Sequence, residues 1–479
     1  MKKIIITLFI ISLTFNTQFA FAKKVKTDKV NSQEVQTAEI VKTGMDFATA
    51  YELMMLNNNE IKAVLEEIEQ KKYEKRAAVG EYLPKIGVNA TTVHFDKSVD
   101  VGIPPIMGMR LPAMTLQDKN LTTLGFGATW NIFTGGRIIA YNSAARAKLE
   151  SSNLKYKSVT NKLTTELVKR YYGLKLAQDV VSVRKQVLDT TKKHLDDAIM
   201  LEEVGIIAKS ERLHADVAYS QALCDYNSAL RDEEIVEEGL KNLIKADDVN
   251  LSDVKVQILS SLFLYDKELD SLSTYKERAI ANNPDFKQTE VKKQLAKANY
   301  RAKAAEYSPV LSIFSYDIAA SNNLSHQVPK FGVGAGVNFT LFDGLSRYNN
   351  LQAAKHLKEQ VKYETLSAKN NIETLVTKTY NELLKYKEQY DSTNKSIESA
   401  EEALRTAELA FREGVGTSLS VTDAQSALSA IKIKRLNALY NYDVAFATLL
   451  STQGNSEEIS EYIKNSKEES LYIMRLGDE

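Results

Sequence analysis

The sequence predicts a mainly α-helical chain with a small β part, assembled twice from the same pieces. Three observations carry this. An alternating stretch, Leu124–Phe133, turns at Thr134-Gly135-Gly136-Arg137 and is followed by 67 residues without a proline, Ile138–Val204. The design returns near the C-terminus, where Phe331–Phe342 reads as a strand, Asp343-Gly344-Leu345-Ser346-Arg347 as a turn, and Leu345–Glu413 adds 69 proline-free residues. All seven prolines fall at strand–helix junctions, in loops or at a helix start. A helix of such length spans roughly 100 Å at ~1.5 Å per residue, against about 11–12 residues for a typical helix. These are rods, and no ordinary globular core needs them.

Composition limits the rest. The chain has 479 residues, is 44% hydrophobic and 26% charged, and carries zero formal net charge. That suits a large core rather than disorder. It also argues against a nucleic-acid partner, which requires a basic surplus. Cys224 is the only cysteine, so there is no disulfide framework and no cysteine cluster for zinc.

In chain order, Lys2 and Lys3 precede an apolar run from Ile4 to Phe15, and Ala20-Phe21-Ala22 supplies a small-x-small site. Residues 1–22 read as a signal peptide that sends the chain across the inner membrane. The run is short for a membrane span, and no later segment offers ~18 apolar residues in a row. No cysteine follows the cleavage site, so no N-terminal lipid anchor is expected. Residues 23–45 form a polar, extended leader.

The first repeat covers 46–245. Asp46 is placed to cap a helix over Ala48–Gly80 with apolar residues at helical spacing, such as Leu53, Ile61, Val64 and Ile68. Pro84 opens a strand, Lys85–Phe95. A loop with three prolines and several methionines (96–120) follows, then the strand Leu124–Phe133, whose apolar residues alternate with small or polar ones. The rod carries a coiled-coil stripe through Tyr156, Leu163, Leu167, Tyr171, Leu174, Val181, Leu188 and Leu195. Gly205 ends it as a helix-terminating glycine. A return helix from about Ser210 makes an antiparallel hairpin.

Residues 246–270 form a less regular connector, and the second repeat covers 271–453. Asn282-Asn283-Pro284 matches Asn57-Asn58-Asn59, and Tyr307-Ser308-Pro309 matches Tyr82-Leu83-Pro84. Phe339–Gly344 matches Trp130–Gly135, and Gly414 matches Gly205. Residues 454–479 form a C-terminal tail.

Each repeat thus supplies two strands of about 10 residues, the length of a tilted membrane strand. Phe331, Val333, Ala335, Val337, Phe339 and Leu341 would face lipid, with Gly332, Gly334, Gly336, Asn338 and Thr340 toward a lumen. Four strands cannot close a barrel, and open edges are not tolerated in lipid, so other copies must complete it. The hairpins, too long for a membrane, should pack side by side into a helical barrel in the periplasm.

With these features the chain resembles the TolC-type outer-membrane efflux proteins over nearly its whole mature length. The most specific residues are the duplicated strand ends, Trp130–Gly135 and Phe339–Gly344. The two turns, Gly205-Ile-Ile-Ala-Lys-Ser-Glu-Arg-Leu-His-Ala215 and Gly414-Val-Gly-Thr-Ser-Leu-Ser-Val-Thr-Asp-Ala424, add to them. The resemblance implies a homotrimer with a shared 12-stranded β-barrel and a twelve-helix α-barrel. This would form one tunnel from the periplasm across the outer membrane of a Gram-negative bacterium. It implies docking through Val204, Gly205, Ile206, Gly414, Val415 and Gly416 to a periplasmic adaptor and an inner-membrane RND or ABC transporter, for efflux or type I secretion. By position, Glu211 stands at a gate acid, Asp423 and Ser420 at two ring positions that are acidic in the family, Phe411 at a gate tyrosine and Gly416 at a gate arginine. The last two and Ser420 depart from the family pattern, which leaves open how the entrance is held closed. Trp130, Phe133, Phe339 and Phe342 fit aromatic positions at the membrane interface.

No residue pattern supports an enzyme or a cofactor. There is no phosphate-binding loop, no nucleophile elbow and no His-Glu-x-x-His. The five histidines show no metal-ligand spacing, and His94, His194, His214, His326 and His356 read as core or surface filler. Met107, Met109 and Met114 could bind a soft cation, but a loop outside the cell explains them as packing or a partial plug. No metal site is assigned. A periplasmic coiled-coil or adhesin stalk would explain the rods but not the four strands.

Overall fold

The computed structural model describes residues 44–102, 104, 108–109, 113–244, 255–265, 269–324, 328–464 and 467–468. The expected signal peptide, nearly all of the expected leader, parts of the methionine-containing stretch and of the connector, and the end of the expected tail lie outside the described residues. In order, the elements are α1 (Phe47–Asn57), α2 (Asn59–Gly80), β1 (Lys85–His94), β2 (Val99–Val101), β3 (Met114–Phe133), α3 (Arg137–Glu203) and α4 (Lys209–Ile244). Then come β4 (Phe263–Leu264), α5 (Leu272–Asn282), α6 (Pro284–Ala305), β5 (Val310–Leu324), β6 (Phe331–Asn338), α7 (Ser346–Arg412) and α8 (Ser418–Thr452). A 3₁₀ turn (Ser456–Glu458), α9 (Ile459–Lys464) and β7 (Lys467–Glu468) close the described chain. Both rods are single helices of 67 residues. Among the described residues no helix is long and apolar enough to cross a membrane.

The expected helix Ala48–Gly80 is two helices. Asp46 caps the first, accepting the Thr49 amide at 2.8 Å, but the chain breaks at Asn58, which is extended (ψ 126°). The break has a tertiary cause. The Asn58 side-chain amide donates to the Leu243 carbonyl at 3.3 Å, and Asn57 donates to the Ile244 carbonyl at 3.2 Å. Both acceptors are last-turn carbonyls of α4, which have no partner within their own helix. The second repeat does the same. Asn283 separates α5 from α6, which starts at Pro284, and its side chain donates to the Thr452 carbonyl at the end of α8 at 2.9 Å.

The chain divides into two compact units. One takes the described residues within Leu65–Lys155 and Asp285–Ala368. It holds an antiparallel sheet in the order β1-β3-β5-β6, with β2 paired to β3. β3 is 20 residues long, twice the expected strand. Its first half, with Gln117, Asp118, Lys119 and Asn120, lacks alternation and is extended only because β1, β2 and β5 pair with it. β6 stops at Asn338, four residues short of the expectation. Its last partner is Val310, and the preceding Pro309 has no N–H to continue the ladder.

The register sorts the two faces. Ile86, Ala128, Ser315 and Val333 form one cross-strand row, and Trp130, Ile313 and Ala335 form the next on the same face. Ile86, Trp130, Ile313, Phe331, Val333 and Val337 are all exposed. The opposite face carries the rows Gly87–Gly127–Tyr316–Gly332 and Lys85–Thr129–Phe314–Gly334. There the aromatic rings of β5 lie across the glycines of β6. A Cβ on Gly332 would come within 2.5 Å of the Tyr316 ring, and one on Gly334 within 2.7 Å of Phe314. These glycines make room for neighbouring rings.

The other unit takes the described residues within Met1–Val64, Tyr156–Pro284 and Lys369–Glu479. Its main core gathers Met45, Phe47, Leu167, Tyr171, Tyr172, Phe263, Tyr442, Phe446 and Leu450. The rings interlock edge to face, as in Phe47–Tyr171 at 5.5 Å and Tyr171–Tyr172 at 5.2 Å. The Tyr171 hydroxyl is buried and donates to the Met45 carbonyl at 2.8 Å, while burial pushes its pKa up to about 12.

Candidate functional site

The two helical turns, which the sequence singles out, are built alike. At the end of α3, Gly205 has φ +76°, its amide bonds to the Glu202 carbonyl at 2.9 Å, and the Ile206 amide reaches back to the Leu201 carbonyl at 2.9 Å. At the end of α7, Gly414 has φ +69° and bonds to Phe411, while Val415 and Gly416 both reach the Ala410 carbonyl. Both are glycine-terminated helix ends of the Schellman kind. Thr417 then caps α8 by accepting the Ser420 amide at 3.2 Å.

The hairpins meet just behind the turns. Ala198 and Ala215 of the first enclose Phe411 and Val421 of the second in a small core, flanked by Leu195, Ile207 and Leu404. Polar groups bridge the same junction. His194 of α3 lies 4.5 Å from the Phe411 ring, and its Nε2 is 2.8 Å from Ser418 Oγ. Glu211 of α4 accepts the Ser418 amide at 2.7 Å. Asp197 pairs with Arg412 at 3.2 Å. Beside these bonds is a cavity of about 320 Å³ lined by Thr190, Lys193, His194, Asp197, Leu404, Glu408, Phe411 and Arg412. Burial pushes the His194 pKa down, although Asp197 and Glu211 pull it up. Burial pushes Glu408 up, opposed by Arg412.

The site residues expected from the sequence fall into three groups. Glu211 and Phe411 are engaged within the chain, Glu211 on the Ser418 amide and Phe411 in the small core at 1% exposure. Asp423 and Ser420 are exposed on α8, and Ser420 is held by hydrogen bonds to Thr417. The turn residues Val204, Ile206 and Val415 are exposed, Val415 at 83%. Ile206 also touches the other turn, since a Cβ on Gly414 would sit 3.0 Å from it. Gly416 has a backbone reason. A Cβ there would fall 2.8 Å from the Phe411 nitrogen and 2.9 Å from the Ala410 carbonyl carbon, so the arginine of the family pattern does not fit this turn.

His194 and Ser418 escaped the sequence reading, which took His194 for filler. A signal existed. Thr191, His194 and Ala198 are all buried, and their spacing of three and four puts them on one helical face. The buried face had drifted off the stripe that ends at Leu195. Among the described residues no cluster of His, Cys, Asp and Glu could hold a metal ion.

At the sheet end, Trp130 and Phe339 are about half exposed, Phe133 likewise, and Phe342 more so. Trp130 Nε1 donates to the Tyr82 carbonyl at 2.8 Å. Arg347 lies over the Tyr307 and Phe339 rings and pairs with Asp343 at 3.0 Å, tying strand end to rod start.

Residues 50–244 and 276–455 both match the family model described as outer membrane efflux protein. The chain belongs to that family. The two matches show the internal duplication, and together they take in most of the chain. No curated relative matches the sequence. Among solved structures, this outer membrane efflux protein is similar to a membrane protein from Pseudomonas aeruginosa, with TM-score 0.73, 17% identity, and 85% of this chain and 90% of that one covered. It is similar to the outer-membrane channel OprN (TM-score 0.73, 16% identity, 85% and 90% covered). It is also similar to the CmeC outer membrane channel of Campylobacter jejuni (TM-score 0.69, 17% identity, 88% and 90% covered). At these identities the likeness is one of fold.

Proposed function

We propose that this outer membrane efflux protein is the exit duct of a tripartite assembly, a homotrimer that passively conducts cargo handed to it from the periplasm. The sheet carries this reading. Among the described residues its outer strands β1 and β6 each pair on one side only, and one of its faces exposes Ile86, Val88, Phe126, Trp130, Ile313, Phe331, Val333 and Val337, with Ser315 and Asp317 among them. In lipid such edges must be closed, and three copies would close them as a 12-stranded barrel. The opposite face, with its glycines, Asn131, Thr129 and Lys85, would line the lumen. A stalk without a pore has no use for this sheet.

The paired turns are the periplasmic end. Val204, Gly205, Ile206, Gly414 and Val415 offer exposed apolar groups to an adaptor protein, with Gly416 half-buried beside them, and an RND or ABC transporter would supply the energy. Asp423 is placed to form an acidic ring, whose like charges would focus a negative potential on the axis. Light scattering on the membrane-extracted protein, corrected for detergent, tests the core of this. Three copies per particle, followed by conductance in a planar bilayer, is the expected result. A monomer that stays in solution without detergent would remove the barrel and the duct with it.

A further inference from the structure

We propose that His194 is an acid-sensitive latch between the two hairpin turns of each chain: neutral, it holds Ser418 and keeps the turns together; protonated, it lets them part. The latch adds regulation to the exit duct proposed above and rests on that reading for its purpose.

One imidazole ties three helices. His194 extends from α3, is 8% exposed, stacks edge-on against Phe411 of α7 at 4.5 Å, and bonds at 2.8 Å to Ser418 in the first turn of α8. Ser418 is fully buried, and its amide is held by Glu211 of α4 at 2.7 Å, which brings in the fourth helix. The cavity beside the ring has room for water.

The charged groups facing the ring are Lys193 and Asp197 from its own helix, Glu408 and Arg412 from α7, and Glu211 from α4. Burial is the largest influence and lowers the proton affinity of His194 below its ordinary 6.5. Asp197 opposes this, Arg412 reinforces it, and Glu211 opposes it again. The sign follows. With the turns together the neutral ring is preferred, while with the turns apart the ring returns to water and its ordinary affinity. Closure is therefore fully supported above about pH 6.5 and loses support as pH falls through that value toward the lower closed-state pKa. Each unit between the two values shifts the closed-to-open ratio up to about tenfold per chain. Glu408 has the opposite sign, because burial raises its pKa above the ordinary 4.5, so acid favours closure through it. It has no recorded hydrogen bond to the other hairpin, whereas His194 makes the bridging bond itself.

The test uses the full chain, extracted from membranes and reconstituted in planar bilayers at pH 7.5 and 5.5. Wild type and Glu408→Gln should conduct several-fold more at pH 5.5. His194→Gln, which keeps a hydrogen-bonding group but does not titrate in this range, should lose this rise, and any response left to Glu408 would run toward closure. Ser418→Ala, which removes the bond but keeps the histidine, should conduct more than wild type at pH 7.5. Spin labels at positions 204 and 415, in a Cys224→Ser background, read the separation of the turns without relying on current. It should widen at pH 5.5 in wild type and should not widen in His194→Gln. A rise in conductance at pH 5.5 that survives in His194→Gln, or a label distance in wild type that ignores pH, overturns the latch. Labels that separate on acidification in a protein that never conducts would sink the duct and leave the latch standing.

Discussion

Glu211 and Ser418 join the two hairpins of one chain: the carboxylate of the first accepts the backbone amide of the second at 2.7 Å, across 207 residues of sequence. The position that reads as a gate acid thus serves as a cap on a neighbouring helix, where the amide would lack a partner and the helix dipole favours negative charge. Replacing Glu211 by alanine removes that acceptor. A loss of about 1 kcal/mol of local stability is expected from cap deletions of this kind. Amide exchange at Ser418, followed at fixed pH, should quicken about fivefold to tenfold. Unchanged exchange would mean that Thr417 alone caps the helix.

Gly416 predicts the outcome of restoring the family's arginine. Gly416→Arg sets a Cβ 2.8 Å from a backbone nitrogen that has no freedom to move. The turn should open, with the loss of the Gly416 bond to the Ala410 carbonyl. Limited proteolysis should cut near residue 414 faster in the variant. A variant as resistant as wild type would show that the turn adapts.

The paired asparagines predict effects of the same sign in the two repeats. Asn283→Ala removes the donor to the buried Thr452 carbonyl, and Asn58→Ala the donor to Leu243. Each should cost about 1–3 kcal/mol, the usual penalty for leaving a buried polar group without its partner. Thermal unfolding of the extracted protein measures it. Asn283, at 7% exposure, should lose the more of the two.

Gly332 should tolerate no branched side chain. Gly332→Val drives the Tyr316 ring off the strand face, where a Cβ would meet it at 2.5 Å. Reduced yield of heat-resistant oligomer on a gel is the expected outcome. Gly87→Val, which meets nothing within 4 Å, is the matched control and should assemble normally.

Asp423 is exposed on α8. Asp423→Ala should weaken cation preference and block by multivalent cations without changing folding. Identical reversal potentials in the two proteins would discard the acidic ring.

Much of this protein was legible as pattern. Proline placement and helical spacing marked both rods to within one residue at each end, Arg137–Glu203 and Ser346–Arg412. The positive-φ glycines marked the turns, and strict alternation marked the faces of β6. Each is a local property of the chain: a period of 3.6 or 2, a ring that cannot donate, or a residue without a Cβ. The break at Asn58, the full length of β3 and the early end of β6 were decided elsewhere. They depend on the α4 carbonyls, the pairing strands and Pro309. The tip was the least legible part. His194 meets Ser418 across 224 residues, and neither carries a spacing that announces the other. The sequence by itself determined which segments are rods, strands and turns, because those follow from neighbours along the chain. Only the tertiary structure decided which polar side chains meet between the hairpins, because a hydrogen bond depends on positions within a few tenths of an ångström, and these are set by how the helices pack.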